Sequence, residues 1–211
     1  MPTEFLFNGP DTARFTILLA HGAGGPMDSA GMTTAAANLA AVGFRVARFE
    51  FAYMASRRSS GGRKPPPRAE TLKSEYLSAI NELGASILIV GGRSMGGRVA
   101  SMIADELLDS RKAVGLLCLG YPFHAPDKPE RPRTAHLADL RMPTLICQGT
   151  RDIFGTPEDV ESYELSDKID IVWLEDGDHG LKPRKAISGL SEADHMVTVA
   201  DSVVEWSKRL A

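Results

Sequence analysis

The sequence predicts an α/β fold of three layers, a mostly parallel sheet with helices on both faces, and three observations predict it. Six short stretches rich in apolar residues, at 15–20, 44–51, 86–91, 113–119, 144–147 and 169–174, read as strands, and the 15–20 run has the continuous apolar character of a strand buried on both sides. Between most of them lie segments whose apolar residues recur every three or four positions, as amphipathic helices do. Five of the six end in a turn rich in glycine or in charged residues, and strands alternating with helices in this way build parallel sheets.

Taken in order, residues 4–7 are expected as a short edge strand before the turn Asn8-Gly9-Pro10. The 15–20 run ends in His21-Gly22-Ala23-Gly24-Gly25. Met32, Ala35, Ala36, Leu39 and Val42 mark a helix stopped by Gly43, and the 44–51 strand follows. Residues 52–68 are read as a loop, being rich in Ser, Gly and Pro and carrying Arg57, Arg58, Arg63, Lys64 and Arg68 with no acid. Leu72, Tyr76, Ile80 and Leu83 define a helix closed by Gly84. The 86–91 strand then runs into Gly92-Arg93-Ser94-Met95-Gly96, and Val99, Met102, Ile103 and Leu107 predict one helix reaching about residue 109.

After the 113–119 strand, residues 122–143 form a Pro-rich connection of about the size of a minimal cap, with one short helix near 136–140. The 144–147 strand stops at Gln148-Gly149-Thr150-Arg151-Asp152, and Thr156-Pro157-Glu158-Asp159 has the pattern of a capped helix start. Asp176-Gly177-Asp178-His179-Gly180 follows the last strand. Ser191 and Asp194 open a final helix with Met196, Val199, Val203, Trp206 and Leu210 on one face. A single domain over 1–211 is expected, since 211 residues suffice for one sizeable core and are few for two.

The formal charge of -3 offers no global basic field, so neither nucleic acid nor an anionic membrane is the expected partner. Cys118 and Cys147 each lie in an apolar run with no Cys-x-x-Cys pair, which argues against a disulfide framework or a metal cluster, and no cofactor is expected. The first ten residues lack a basic region followed by a long apolar stretch, and no apolar run reaches the roughly 18 residues of a membrane span. A cytoplasmic location is the expectation.

In a parallel sheet, ligands bind beyond the carboxyl ends of the strands. Reactive groups stand there at Ser94, Asp152 and His179, and the strand-turn-helix setting of Gly92-Arg93-Ser94-Met95-Gly96 is that of a nucleophile elbow. A serine hydroxyl needs a base, and a base near neutrality needs a carboxylate to fix its tautomer; His179 and Asp152 suit these roles. A developing oxyanion needs backbone N–H donors, one from Met95 at the helix start and another from the small-residue loop after the 15–20 strand.

The order Ser, Asp, His and these motifs make the chain resemble the α/β-hydrolase superfamily from Phe15 to Leu210. His21-Gly-Ala-Gly-Gly-Pro-Met-Asp28, Gly120-Tyr121-Pro122-Phe123-His124 and Gln148-Gly149-Thr150-Arg151-Asp152 look more closely like small bacterial hydrolases with a minimal cap, related to dienelactone-hydrolase-like proteins and to hydrolase-like domains of some eukaryotic chromatin proteins. The resemblance favours Ala23 over Gly24 as the second oxyanion donor. It implies a serine hydrolase of carboxylesterase type (EC 3.1.1) acting on a small-molecule acyl substrate, and the short connection before the 144–147 strand predicts a rather open site that favours short esters. The alternatives are a non-catalytic binding or scaffold protein of the same fold, and an acyltransferase or amidase using the same residues.

The remaining candidates have plainer roles. His21 is expected to brace its loop; His124 and His136 belong to the Pro-rich connection and His195 to the last helix. Asp159 lies in a helix, and Asp176 and Asp178 are too close in sequence to His179 to come from another strand end. Arg93 and Arg151 each adjoin a catalytic candidate, where an arginine serves equally to tie loops or to grip substrate. Met27, Met32, Met54 and Met95 are candidates for an acyl pocket or for core. The basic segment 57–68 is a solvated loop or a site for an anionic substrate or partner. A phosphate-loop reading of the glycines at 91–97 fails, because no Lys-Ser/Thr follows in the required spacing.

Overall fold

A computed structural model describes residues 2–61 and 65–210. Seven strands among the described residues form one sheet: β1 (Phe5–Asn8), β2 (Thr16–Ala20), β3 (Arg45–Phe49), β4 (Leu88–Arg93), β5 (Gly115–Leu119), β6 (Thr144–Gly149) and β7 (Ile169–Leu174). Their spatial order is β1-β3-β2-β4-β5-β6-β7, and only β1 runs antiparallel to its neighbour.

Each central strand feeds two cores, because successive side chains of a strand point to opposite faces. On β2, Leu18 and Ala20 face one core while Ile17 and Leu19 face the other; on β5, Leu116 and Cys118 alternate likewise with Leu117 and Leu119. The first core is covered by α3 (Lys73–Leu83), α4 (Met95–Ser101) and α5 (Ala104–Asp109), through Tyr76, Val99 and Leu107. The second is covered by α1 (Ala30–Ala41) and α8 (Glu192–Ser207), through Met32, Leu39, Val199, Val203 and Trp206. Burial on both faces explains why these strands read as unbroken apolar runs. Fully burying a Leu or Ile side chain contributes about 1.5–3 kcal/mol, so the two layers hold the sheet.

Capping boxes start α6 (Pro157–Glu161) at Thr156 and α8 at Ser191, as the sequence predicts. Three other elements differ from expectation. Residues 52–68 are not wholly loop: α2 (Ala52–Ser60) occupies the first half and ends at Gly61 in a left-handed conformation, φ 66°. The glycines and prolines of that segment all come after residue 60, so its overall composition hid a helix-compatible start. Arg63 and Lys64 of the predicted basic loop lie outside the described residues.

The predicted 94–109 helix is broken between α4 and α5. There the Ser101 hydroxyl donates back to the Arg98 carbonyl at 2.8 Å and lies 2.8 Å from His136 Nε2, and the chain tightens into an Ile103 N–H to Ala100 carbonyl bond. A serine that competes for a helix carbonyl bends the helix. Finally, a short helix not expected from the sequence, α7 (Lys185–Ser188), lies between β7 and α8. Among the described residues no helix is long and apolar enough to cross a membrane.

Candidate active site

Parallel pairing sets the strand ends along one edge. Ala20 is in register with Gly92, Arg93 with Leu119, and Gly149 with Leu174, so the loops after β2, β4, β6 and β7 rise side by side. Ser94 stands at the crest of the turn between β4 and α4 with φ 50° and ψ -116°, a positive φ that a non-glycine residue rarely adopts. The turn is this tight only because its neighbours lack side chains. A Cβ on Gly96 would lie 2.3 Å from the Ala20 carbonyl oxygen, and one on Gly92 would lie 2.5 Å from the same atom.

His179 follows β7 and faces Ser94, with Nε2 2.8 Å from Oγ. Its Nδ1 is 2.8 Å from Asp152 Oδ2, in the loop after β6. A carboxylate only accepts, so this contact fixes the hydrogen on Nδ1 and leaves Nε2 to accept from the serine hydroxyl. The Phe154 ring lies 4.2 Å, centroid to centroid, from the imidazole and limits its rotation. The three residues predicted from the sequence are therefore brought into one hydrogen-bonded chain.

Asp152 is completely buried and has two further donors. The Phe154 N–H bonds Oδ1 at 2.9 Å, and the Gln148 amide donates to Oδ2 at 2.8 Å. Gln148 is itself buried and oriented, because its Oε1 accepts the Tyr121 N–H at 2.7 Å. Sequence reasoning missed this role. The available signal was an amide ending the otherwise apolar run Leu145-Ile146-Cys147, since a buried polar group requires partners.

The loop after β2 borders the same place. His21 is fully buried; its Nε2 accepts the Phe51 N–H at 3.2 Å, so its hydrogen is on Nδ1, which donates to the Gly22 carbonyl at 2.7 Å. Burial lowers the affinity of this imidazole for a proton below the ordinary value, which keeps it a neutral brace. The Gly22 carbonyl shares its peptide plane with the Ala23 N–H, and in a trans peptide the two point in opposite directions, so the bond from His21 turns the Ala23 N–H away from it. Tyr53 holds the next carbonyl, that of Ala23, at 3.1 Å. At the start of α4, Met95 belongs to the first turn, whose N–H groups have no intrahelical acceptor.

Together these loops enclose an open cleft of about 480 Å³, lined by Gly22, Ala23 and Gly24 on one side and by Ser94, Phe154 and His179 on the other. Met32 lines it as well, whereas Met27, Met54 and Met95 are buried. The connection 122–143 packs aside from the cleft: the Phe123 ring meets Tyr121 and Tyr163, and the His124 N–H bonds the Phe154 carbonyl at 3.1 Å.

A family model for the alpha/beta hydrolase domain matches residues 13–208. The chain belongs to the alpha/beta hydrolase family. Among solved structures, this alpha/beta hydrolase is similar to a serine hydrolase without lid from Xanthomonas campestris, with 18% identity over 98% of this chain and 88% of that one and a TM-score of 0.69. It is similar to a dienelactone hydrolase from Anabaena variabilis, with 19% identity over 99% and 92% of the two chains and a TM-score of 0.71. It is similar also to a monoacylglycerol lipase from Paleococcus ferrophilus, with 16% identity over 98% and 100% and a TM-score of 0.68. Identities this low speak for the fold.

The other sequence candidates of this hydrolase fall into place around the cleft. Arg151 ties loops: its Nε lies 3.4 Å from Asp176 Oδ1 and its N–H bonds the Gly177 carbonyl at 2.9 Å. Asp176 also pairs with Arg184, and the guanidinium holds its carboxyl well below the usual carboxylate range. His195, on α8, donates from Nδ1 to the Leu181 carbonyl at 2.8 Å and so anchors the loop that carries His179. Arg58 is committed to Glu50 at 2.7 Å and to Asp28 at 2.5 Å, which neutralises part of the predicted basic segment.

Proposed function

We propose that this alpha/beta hydrolase cleaves small carboxylic esters through an acyl-enzyme, with Ser94 as nucleophile, His179 as general base and acid, and Asp152 as the carboxylate that orients and stabilises the imidazole. The observation that carries this reading is the chain Ser94 Oγ, His179 Nε2, His179 Nδ1, Asp152 Oδ2, with 2.8 Å at both links.

In the first half-reaction Ser94 Oγ attacks the ester carbonyl carbon while its proton passes to His179 Nε2. The imidazolium so formed is bonded through Nδ1 to Asp152, whose charge offsets it. The carbonyl oxygen, now negative, is taken up by the N–H groups of Met95 and Ala23. Collapse of this intermediate breaks the bond to the alcohol oxygen, which leaves with the proton from Nε2. Water then attacks the acyl-enzyme by the same route in reverse, giving the acid and restoring Ser94. An open cleft of about 480 Å³ suits short or partly solvated acyl groups.

The test is paired. A fluorophosphonate probe is expected to label wild type and not Ser94→Ala, and p-nitrophenyl acetate turnover is expected to fall by at least ~10⁴-fold in the variant. Equal labelling of both proteins, or turnover retained in the variant, removes Ser94 from the mechanism. Failure of wild type to be labelled or to turn over a broad ester panel favours a binding or scaffold role.

A further inference from the structure

Arg93, beside the nucleophile, has a setting unlike that of Arg151. No hydrogen bond or ion pair reaches its guanidinium from any described residue, although the side chain is half-buried and lines the same cleft as Ser94 and His179. It is nevertheless a built position. The side chain lines a small hollow together with Met32, Leu119, Leu181, Glu192 and Met196, and the guanidinium fits between two glycines: a Cβ on Gly31 would lie 2.0 Å from Nη1, and one on Gly180 would lie 3.0 Å from Nη2.

Two acids lie nearby, and neither bonds the guanidinium. Asp178, across Gly180, accepts the N–H groups of Gly180 at 2.7 Å and Lys182 at 3.0 Å with its Oδ1. Glu192 pairs with Lys182 at 3.0 Å. The first turn of α1, which carries partial positive charge, abuts Nη1 and repels it. A guanidinium whose donors no described residue fills, with a helix N-terminus at one edge, is open to an anion from the cleft.

We infer that Arg93 receives a carboxylate on the substrate, so that the esters this enzyme cleaves carry a second, free acid group within a few bonds of the scissile carbonyl. The inference rests on the proposed esterase reaction. A carboxylate is the matching class because a planar guanidinium pairs with it through two parallel bonds and cancels its single charge. A phosphate would call for a second cation, and Lys182 is already paired with Glu192.

The experiment compares monomethyl glutarate with methyl valerate, esters of equal acyl length that differ in the terminal acid, by proton release at low and high salt. Wild type is expected to prefer the anionic ester by about tenfold or more in kcat/KM, a ratio that shrinks as salt rises. In Arg93→Met the ratio is expected to fall to one or below, and in Arg93→Lys to an intermediate value, whatever either substitution does to the overall rate. A wild-type ratio near one, or a ratio that survives in Arg93→Met, overturns the inference. If the methionine variant does not fold, the wild-type ratio and its salt dependence decide. If neither ester is cleaved and Ser94 is not labelled, the esterase reading has failed separately. Glutarate binding by calorimetry then decides for Arg93: binding to wild type that is weakened in Arg93→Lys and lost in Arg93→Met supports the site, and no binding to wild type, or binding that survives in Arg93→Met, sinks it.

Discussion

Two concave regions of this molecule invite comparison, and the larger one has the weaker claim to chemistry. A groove of about 780 Å³ runs between β7 and α8, beside Ile171, Val172 and Trp206, whereas the cleft over Ser94 measures about 480 Å³. In the groove four of the five charged side chains pair with one another: Arg209 with Asp170 at 2.6 Å and Lys208 with Glu205 at 2.5 Å. In the cleft a serine, a histidine and a buried carboxylate form a directed chain, and an arginine has no partner among the described residues. The groove lies along the flank of the sheet, where a strand and a helix pack side by side. The cleft lies where strands end and helices begin, so free N–H groups and loop side chains converge there. Volume measures room, while convergence of unsatisfied groups marks a place able to act on something else.

Substitutions on the two sides should separate them, most strongly at the acid. Asp152→Asn leaves the shape of the buried site but offers His179 Nδ1 an amide in place of a carboxylate. The loss expected in kcat is ~10³–10⁴-fold, measured on p-nitrophenyl acetate with folding checked by circular dichroism. A fall of less than tenfold would move the role of acid to another residue. Gln148→Leu tests the layer behind. It removes one donor from Asp152 and strands the Tyr121 N–H, so stability should drop by ~1–3 kcal/mol and kcat by about tenfold, while KM stays constant because Gln148 does not reach the cleft. A change confined to KM would contradict a positioning role.

Acid should weaken the same side through His21. Burial holds its proton affinity below the ordinary value of 6.5, so the folded state resists protonation that the unfolded chain accepts. The stability it contributes is present above pH 6.5 and is lost as pH falls from there toward the folded-state value. Urea midpoints at pH 7.5 and 5.5 should therefore differ less in His21→Gln than in wild type, with a remainder from His136, whose proton affinity burial also lowers. An unchanged difference would show that His21 does not carry the effect. The smallest effect belongs to the groove. Arg209→Ala breaks an exposed ion pair and should cost no more than ~1 kcal/mol, with ester turnover unchanged within error. A marked loss of turnover would mean that the groove and the cleft are coupled.

The sequence was legible wherever the cause is local. The β2 run is continuously apolar and the α8 stripe steps by three and four, and the glycines around Ser94 announce a tight turn. Residues 52–60 were misread because their helix is fixed from outside, by Glu50 and Asp28 holding Arg58 and by Glu75 accepting the Ala52 N–H at 2.7 Å. The break after Ser101 likewise depends on His136, 35 positions away.

By itself, then, the sequence determined the alternation of strands and helices, the elbow at Ser94, and the placement of an acid and a histidine just beyond later strands. Only the tertiary structure decided that His179 meets Ser94 across 85 positions and Asp152 across 27, that Gln148 steadies the acid, and that Arg151 is tied while Arg93 is not. The reason is physical. Side-chain pattern along a strand or helix reports which face is buried, but a partner is chosen by sheet register and by the path of loops, and these are settled when the whole chain packs.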